Sequence, residues 1–198
     1  MELTDIQLDA LREMANIGSG NAATSLASML GRPVDLSVPM AVALPLAEAV
    51  EAVGDNESVV TAVAIPVMGE LEGIVLLTFP VPSAHVLSGF LGVVDDPEME
   101  LSALGEIGNI LGSAYVNALG AMTGIEMEPC PPQAATDMLG AIVATVLASA
   151  AQDSDTALLL DSNLTVEGAA CEFGFVFVPY ENGIVQLLTR LGLWEQAA

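Results

Sequence analysis

The segment DALREMAN, residues 9–16, returns in altered form as SALGEIGN, residues 102–109. A constant offset of 93 residues relates four pairs of positions: Glu13 and Glu106, Asn16 and Asn109, Asp9 and Ser102, and Pro39 and Pro132. A repeat of this length indicates that one structural plan is used twice. We therefore expect a single domain over residues 1–198, built from two repeats at about 1–95 and 96–198.

Each half is predicted to contain a long helix, a strand, a short helix, a β-hairpin and a further helix. In the first half, Thr4 can cap a helix over about 4–30, and Gly31 with Pro33 should end it. A strand through Pro39 suggests a sheet edge or a bulge. The remaining predictions are a strand over 34–44, a helix over 45–53, strands over 58–67 and 70–79 with a turn at 68–69, and a helix over 86–92.

The second half is expected to follow the same plan with a longer middle helix. Its predicted elements are a helix over 137–151, strands over 156–160 and 167–178, a turn at 161–163, and a last helix over 184–192. Trp194 is expected in this C-terminal helix, as a packing residue. The chain is therefore predicted to be an α+β protein with pseudo-twofold symmetry, in which long helices flank one sheet system.

The charge is strongly one-sided, with 26 acidic residues, three arginines, no lysine and a formal net charge of −23. Nucleic acids and anionic membranes are excluded as partners, because both are bound through basic side chains. A phosphate-binding loop of the Walker type needs a lysine and is excluded too. The many carboxylates repel one another, and concentrated salt screens this repulsion. The composition therefore predicts a halophilic archaeal source, with an acidic bacterial protein as the alternative.

No membrane insertion is expected, although residues 73–94 carry no charged side chain. Pro80 and Pro82 interrupt that stretch, which favours a strand followed by a short helix. The acidic start, with Glu2 and Asp5, argues against a signal peptide, so a cytoplasmic location is expected. A single histidine and two distant cysteines predict neither a metal site nor a disulfide.

In each long helix, the carboxylate and the amide should lie on one stripe. Asp9, Glu13 and Asn16 have the spacing i, i+4, i+7, and the second copy repeats it. The simplest interpretation is the solvated face of an amphipathic helix. Two observations favour a site instead: the motif occurs twice, and a proline follows each Asn after 23 residues. We expect both pairs to project from exposed helix faces.

The repeated motif resembles that of the CheC, CheX and FliY phosphatases of chemotaxis, which is Asp or Ser, three residues, Glu, two residues, Asn, 22 residues and Pro. Both copies match at every position. The flanking residues 16–23 and 106–119 also resemble CheC, and the similarity runs over nearly the whole chain. CheX generally has one functional motif in a shorter chain, and FliY carries an additional flagellar-switch domain.

The resemblance implies hydrolysis of the aspartyl phosphate of the response regulator CheY. It assigns the positioning of the attacking water to Asn16 and Asn109, and the pairing with a CheY lysine to Glu13 and Glu106. Supporting roles fall to four further residues: Asp9, Ser102, Pro39 and Pro132. It also implies that this chain has no cofactor of its own, and that CheY supplies the magnesium ion.

Two classes of function remain open at this point. The chain is either a phosphatase acting on CheY or a non-catalytic adaptor that binds CheY, the receptor deamidase CheD, or both. A dinucleotide-binding loop at Gly18, Gly20 and Ala23 is disfavoured because these residues lie inside the predicted helix, without a preceding strand. Close helix packing is the better interpretation of these small residues.

Overall fold

The computed structural model of the chain describes residues 3–150 and 156–194. Within these ranges the helices are α1 (Asp5–Leu30), α2 (Leu46–Ala52), α3 (Val81–Phe90), α4 (Pro97–Thr123), α5 (Leu139–Ala150) and α6 (Gly183–Arg190). The strands are β1 (Val34–Pro45), β2 (Val59–Gly69), β3 (Gly73–Pro80), β4 (Met127–Pro129), β5 (Gln133–Met138), β6 (Thr156–Val166), β7 (Ala169–Glu172) and β8 (Gly174–Pro179). The predicted α+β class is confirmed, and the element order of the first half returns in the second.

The strands form one antiparallel sheet in the order β1-β6-β8-β3-β2-β4, with β5 also paired to β2 and β7 to β6. The first strand of each half pairs with the hairpin of the other half. β1 pairs with β6, whereas β4 and β5 pair with β2. The two halves are therefore interlocked in a common sheet.

Helices cover both faces of this sheet. A larger core lies between one face and the helices α1, α3, α4 and α6, and its largest buried side chains include Tyr115, Phe79 and Phe177. A smaller core lies between the other face and α2 with α5, around Leu76, Val143 and Val176. The two long helices α1 and α4 also pack against each other, so the motifs they carry are held by the same core.

The predicted ends of α1 are confirmed by its cap geometry. The Thr4 N–H donates to Gln7 Oε1 at 2.8 Å, and the Gln7 N–H donates to Thr4 Oγ1 at 3.4 Å, which is a reciprocal capping box. At the other end Gly31 takes the left-handed conformation at φ 62°, which glycine adopts without a steric penalty. Local sequence therefore sets both ends of this helix.

The predicted turn at residues 161–163 is wrong, because β6 runs straight through it to Val166. The reversal occurs instead at Glu167 and Gly168, both of which have positive φ, of 50° and 86°. β6 pairs with β1 almost along its entire length, from Pro45 opposite Thr156 to Val34 opposite Val166. The hydrogen bonds of this long pairing outweigh the turn preference of Asp, Ser and Asn.

Other boundaries also differ from the sequence predictions. The first hairpin turns at residues 70–72 and not at Met68-Gly69, both of which lie in β2. α3 begins earlier, at Val81, because a proline is tolerated in the first turn of a helix. Trp194 packs against the larger core but lies after α6, and Ala151, the predicted end of the middle helix, is outside the described residues.

None of the helices in residues 3–150 and 156–194 combines the length and apolar composition that a transmembrane span requires. The uncharged stretch 73–94 forms β3 and α3, as expected from its prolines. Both elements are packed against the larger core.

Gly18 permits the close approach of α1 and α4. A Cβ at this position would lie 2.8 Å from Cδ1 and 3.0 Å from Cα of Tyr115, closer than real Cβ contacts. Gly20 on the same helix has no neighbouring atom within 4 Å. Helix packing, the sequence-based interpretation of these glycines, is thus confirmed at Gly18 but not at Gly20.

We expect Gly18→Val to lower the free energy of unfolding by about 2 kcal/mol, because the added atoms overfill a packed contact. The matched change Gly20→Val should have an effect below about 0.5 kcal/mol, since the position is open. Urea unfolding of both variants at one molar salt concentration measures the difference. Equal effects of the two substitutions would contradict the packing argument.

Candidate active site

Each long helix presents the glutamate of its motif on the surface, as the spacing predicted. Glu13 on α1 and Glu106 on α4 are exposed, and neither carboxylate has a hydrogen-bond or ion-pair partner among the described residues. Asn16 and Asn109 lie one turn further along and are half-buried. The helical faces therefore offer two copies of an unpaired carboxylate beside an amide.

The amide of Asn16 is bonded to the backbone of the neighbouring strand. Its Nδ2 donates to the Val38 carbonyl at 3.0 Å, and the Val38 N–H donates to Asn16 Oδ1 at 2.9 Å. Val38 lies at a bulge in β1, where Val38 and Pro39 together stand opposite the single residue Ser162 of β6. Because Val38 is only 1% exposed, its backbone groups need a partner, and Asn16 supplies it.

The amide of Asn109 is much less constrained. Its Oδ1 accepts from the Ser113 hydroxyl at 3.3 Å, and its Nδ2 has no partner among the described residues. The Nδ2 atom of Asn109 is not fully buried and is therefore open to solvent. The position equivalent to Val38 is Pro131, which has no N–H to donate. Both asparagines are half-buried, so the expectation of exposed side chains is confirmed for the two glutamates and is wrong for the two asparagines.

The two predicted prolines occupy matching interruptions in the sheet. Pro39 belongs to the bulge of β1, as its place within a strand suggested. Pro132 lies in the gap between β4 and β5, which both pair with β2 on either side of it. Pro39 and Pro132 follow the last residues of α1 and α4 at the same distance in sequence. In each half the interrupted strand region packs against the helix that carries the motif.

The supporting positions Asp9 and Ser102 give the two motifs different charge environments. Asp9 forms an ion pair with Arg12 at 2.9 Å, with exposed fractions of 65% and 45% for the two side chains. An exposed pair of this kind adds little stability. In the second half Ser102 and Gly105 occupy these positions, so no cation stands beside Glu106 on its own helix.

A buried polar pair lies beneath the helices but does not join either motif. Burial raises the pKa of Tyr115 to about 12, and the nearby Ser162 hydroxyl partly offsets this. The two hydroxyls are buried without a hydrogen bond of ordinary geometry. The Tyr115 ring packs on Phe175 with a centroid distance of 4.6 Å. Tyr115 is therefore neutral near pH 7 and contributes to packing.

The described residues contain no group of three or more His, Cys, Asp and Glu side chains that could hold a metal ion. The first motif offers the carboxylates of Asp9 and Glu13 and the amide oxygen of Asn16, whereas the second offers the carboxylate of Glu106 and the amide oxygen of Asn109. His85, the single histidine, instead contacts Glu100 at 2.6 Å on the surface.

Comparison with known proteins matches both motif regions. The model of the CheC-like family matches residues 6–42 and 99–135, two segments of equal length that are themselves 93 residues apart. The CheY-P phosphatase CheC of Bacillus subtilis (strain 168) is 31% identical over 166 residues, which cover 80% of this chain and 79% of that protein. The chain belongs to the CheC-like family. The matched segments contain all eight motif positions predicted from the sequence.

Solved structures agree with this family at the level of the fold. The crystal structure of FliY from Thermotoga maritima has a TM-score of 0.76 at 22% identity, covering 97% of this chain and 98% of the crystallised chain. CheX, solved in a CheX–CheY–BeF3–Mg complex from Borrelia burgdorferi, has a TM-score of 0.50 at 17% identity, covering 83% of this chain and 96% of the matched one. At these identities the likeness shows a shared fold.

Val38 and Pro131 are the residues that sequence reasoning missed. Neither belongs to the motif, because the motif specifies only the proline that follows each of them. Alignment of the two repeats with the 93-residue offset would have placed an N–H donor in one half and a proline in the other. That difference gains its meaning only from the contact between Val38 and Asn16.

Proposed function

We propose that this member of the CheC-like family hydrolyses the aspartyl phosphate of the chemotaxis response regulator CheY, tuning the signal to the motor. The support is the identity to a CheY-P phosphatase over most of both chains, together with the exposed glutamates on the long helices, each with a half-buried asparagine one turn away. The observation that carries the proposal is the solvent-accessible amide of Asn109 beside an unpaired Glu106.

The chemistry requires little from this chain besides positioning. Water attacks the phosphorus, the bond from phosphorus to the aspartate oxygen breaks, and inorganic phosphate and a free carboxylate result. An amide can orient the attacking water because it both donates and accepts hydrogen bonds. We assign this role to Asn16 and Asn109, and we assign docking through a lysine of CheY to Glu13 and Glu106.

We propose that the magnesium ion belongs to the substrate protein. This part of the proposal rests on the family resemblance. The carboxylates Glu13 and Glu106 have no partner among the described residues and are available for a cationic group of CheY. Magnesium neutralises charge on the phosphoryl oxygens when bound there. The residues of this chain then need only to dock the partner and to place water in line.

Two further parts of the proposal rest on the family resemblance. The deamidase CheD is a second partner, and the chain works in the cytoplasm, where CheY is phosphorylated. The competing function is an adaptor that binds CheY, CheD or both without catalysis.

Decay of labelled CheY phosphate, measured with magnesium in molar salt, separates the phosphatase from the adaptor. An adaptor binds CheY without accelerating the decay, and that result would refute the phosphatase.

We expect the double variant Glu13→Gln and Glu106→Gln to lower both the affinity for phosphorylated CheY and the rate of hydrolysis, because a charge-assisted contact with the partner is lost. The loss should be on the order of tenfold or more in affinity. A binding titration and a phosphate-release assay measure the two effects.

The matched control for that variant is Asp5→Asn with Glu98→Gln. These residues are exposed on the same two helices, and the change removes the same amount of charge. If the control weakens binding as strongly, the glutamates act only through the net charge of the chain.

A further inference from the structure

The two motifs differ in what stands opposite the asparagine. In the first half, Val38 offers both an N–H and a carbonyl at a bulge, and the Asn16 amide bonds to both. In the second half, the 93-residue offset gives Pro131 as the counterpart of Val38, and Ser113 of the same helix is the one hydrogen-bond partner of the Asn109 side chain among the described residues. The substitution between the repeats removes one of the two bonds directly, because a proline has a carbonyl but no N–H to donate.

Bonding to Val38 uses one complete edge of the Asn16 amide. A primary amide has two N–H donors and two lone pairs, so one of each remains. The Nδ2–H and the Oδ1 lone pair that face each other across the amide are both used by Val38. The N–H and the lone pair that remain free lie on opposite sides of the side chain and point away from each other. A single water molecule cannot be held by both, so Asn16 cannot orient water as an unbonded amide can.

Turning Asn16 toward water requires both bonds to break. Val38 is 1% exposed, so its backbone groups would lose their partner in a place that water hardly reaches. Two hydrogen bonds of ordinary net strength reduce the population of the released amide by roughly tenfold or more. Asn109 carries no such restraint, because its Nδ2 is already accessible to water.

The charges near the two motifs also favour the second motif as the more active site. Arg12 is paired with Asp9 one turn from Asn16, so a cation already lies on the helical face that would receive a cationic group of the partner. Glu106 has Gly105 before it and Ser102 one turn earlier. The second helix therefore presents a carboxylate without competition from a cation on that face.

We propose that the second motif carries most of the hydrolysis, and that residues 38 and 131 decide this as positioning residues. Val38 holds Asn16 in a structural role that closes the bulge of β1, whereas Pro131 leaves Asn109 free to orient water. The inference rests on the proposed function, since it ranks two copies of the same site. It also makes one claim that is independent of activity, namely that Asn16 stabilises the fold and Asn109 does not.

Two single-site variants supply the backgrounds for the test. Asn109→Ala leaves only the first motif, and Asn16→Ala leaves only the second. Turnover of saturating CheY phosphate through the first motif should be at least roughly tenfold lower than through the second. The thermal midpoint in molar salt should fall for Asn16→Ala, which orphans the Val38 backbone, and should stay close to the parent value for Asn109→Ala.

Exchanging valine and proline at positions 38 and 131 should raise turnover through the first motif and lower turnover through the second. Val38→Pro added to the Asn109→Ala background removes the N–H and should raise turnover several-fold, while the Michaelis constant changes little. Ser37 lies in a strand, a conformation that a following proline accepts. Pro131→Val added to the Asn16→Ala background supplies an N–H at an exposed position and should lower turnover several-fold.

Distinct results overturn the inference and the function on which it rests. A parent protein that leaves CheY phosphate untouched refutes the phosphatase, and equal thermal midpoints of the two Ala variants would then refute the structural role of Asn16 as well. With an active parent, equal turnover through both motifs overturns the inference. If Val38→Pro does not fold, the Pro131→Val arm decides, and unchanged turnover in that arm counts against the proposal.

Discussion

Replacing Asn16 and Asn109 together by Ala is expected to abolish the acceleration of CheY phosphate decay while CheY binding persists. An amide that orients water acts mainly in the transition state, so its removal lowers turnover more than affinity. The expected loss is on the order of 100-fold or more. Phosphate release from labelled CheY and a parallel binding titration measure the two quantities.

The double variant must be tested where it is folded, because Asn16 also satisfies the Val38 backbone. Losing that contact should cost about 1–3 kcal/mol of stability. Asn21→Ala with Asn117→Ala is the matched control, since both residues are exposed on the same two helices. Hydrolysis by the Asn16 and Asn109 variant at the rate of the parent would refute the phosphatase and favour an adaptor.

Folding is expected to require high salt, with cooperative structure lost in dilute buffer. The net charge is −23, and all three arginines are already paired, Arg12 with Asp9, Arg32 with Glu167 and Arg190 with Glu70. The remaining carboxylates repel one another over a screening length of about 30 Å at 0.01 M salt and about 3 Å at 1 M. Circular dichroism from low to molar potassium chloride measures the transition.

A neutral osmolyte provides the control for this experiment. Sucrose strengthens burial of apolar surface but does not screen charge, so it should not replace the salt. A chain that is fully and cooperatively folded in dilute buffer would contradict the prediction. It would also remove the argument for a halophilic source and leave an ordinary acidic protein.

Much of this protein is determined by local sequence and by its repeat. The bounds of α1 follow from Thr4, Gln7 and Gly31, because caps are short-range hydrogen bonds between residues close in the chain. The stripe of each motif follows from helical spacing alone. The 93-residue offset predicted that one plan of elements would occur twice, and the order of helices and strands follows it.

Long-range pairing decided what local preference could not. Residues 161–163 favour a turn by composition, yet they continue β6 because β1 offers a long partner on the same sheet. The bulge at Val38 and Pro39 has the same origin, since it is a mismatch of register between strands more than a hundred residues apart in sequence. Neither strand alone contains that mismatch.

The inequality of the two motifs was likewise settled in three dimensions. By sequence the Glu and Asn of the two motifs are equivalent, because their spacing is the same in both. Whether an amide is available to water depends on which backbone groups lie against it, and those groups belong to another element of the fold. Asn16 bonds to the N–H and the carbonyl of Val38, which lies at the bulge of β1. In the other half the equivalent residue is Pro131, which has no N–H.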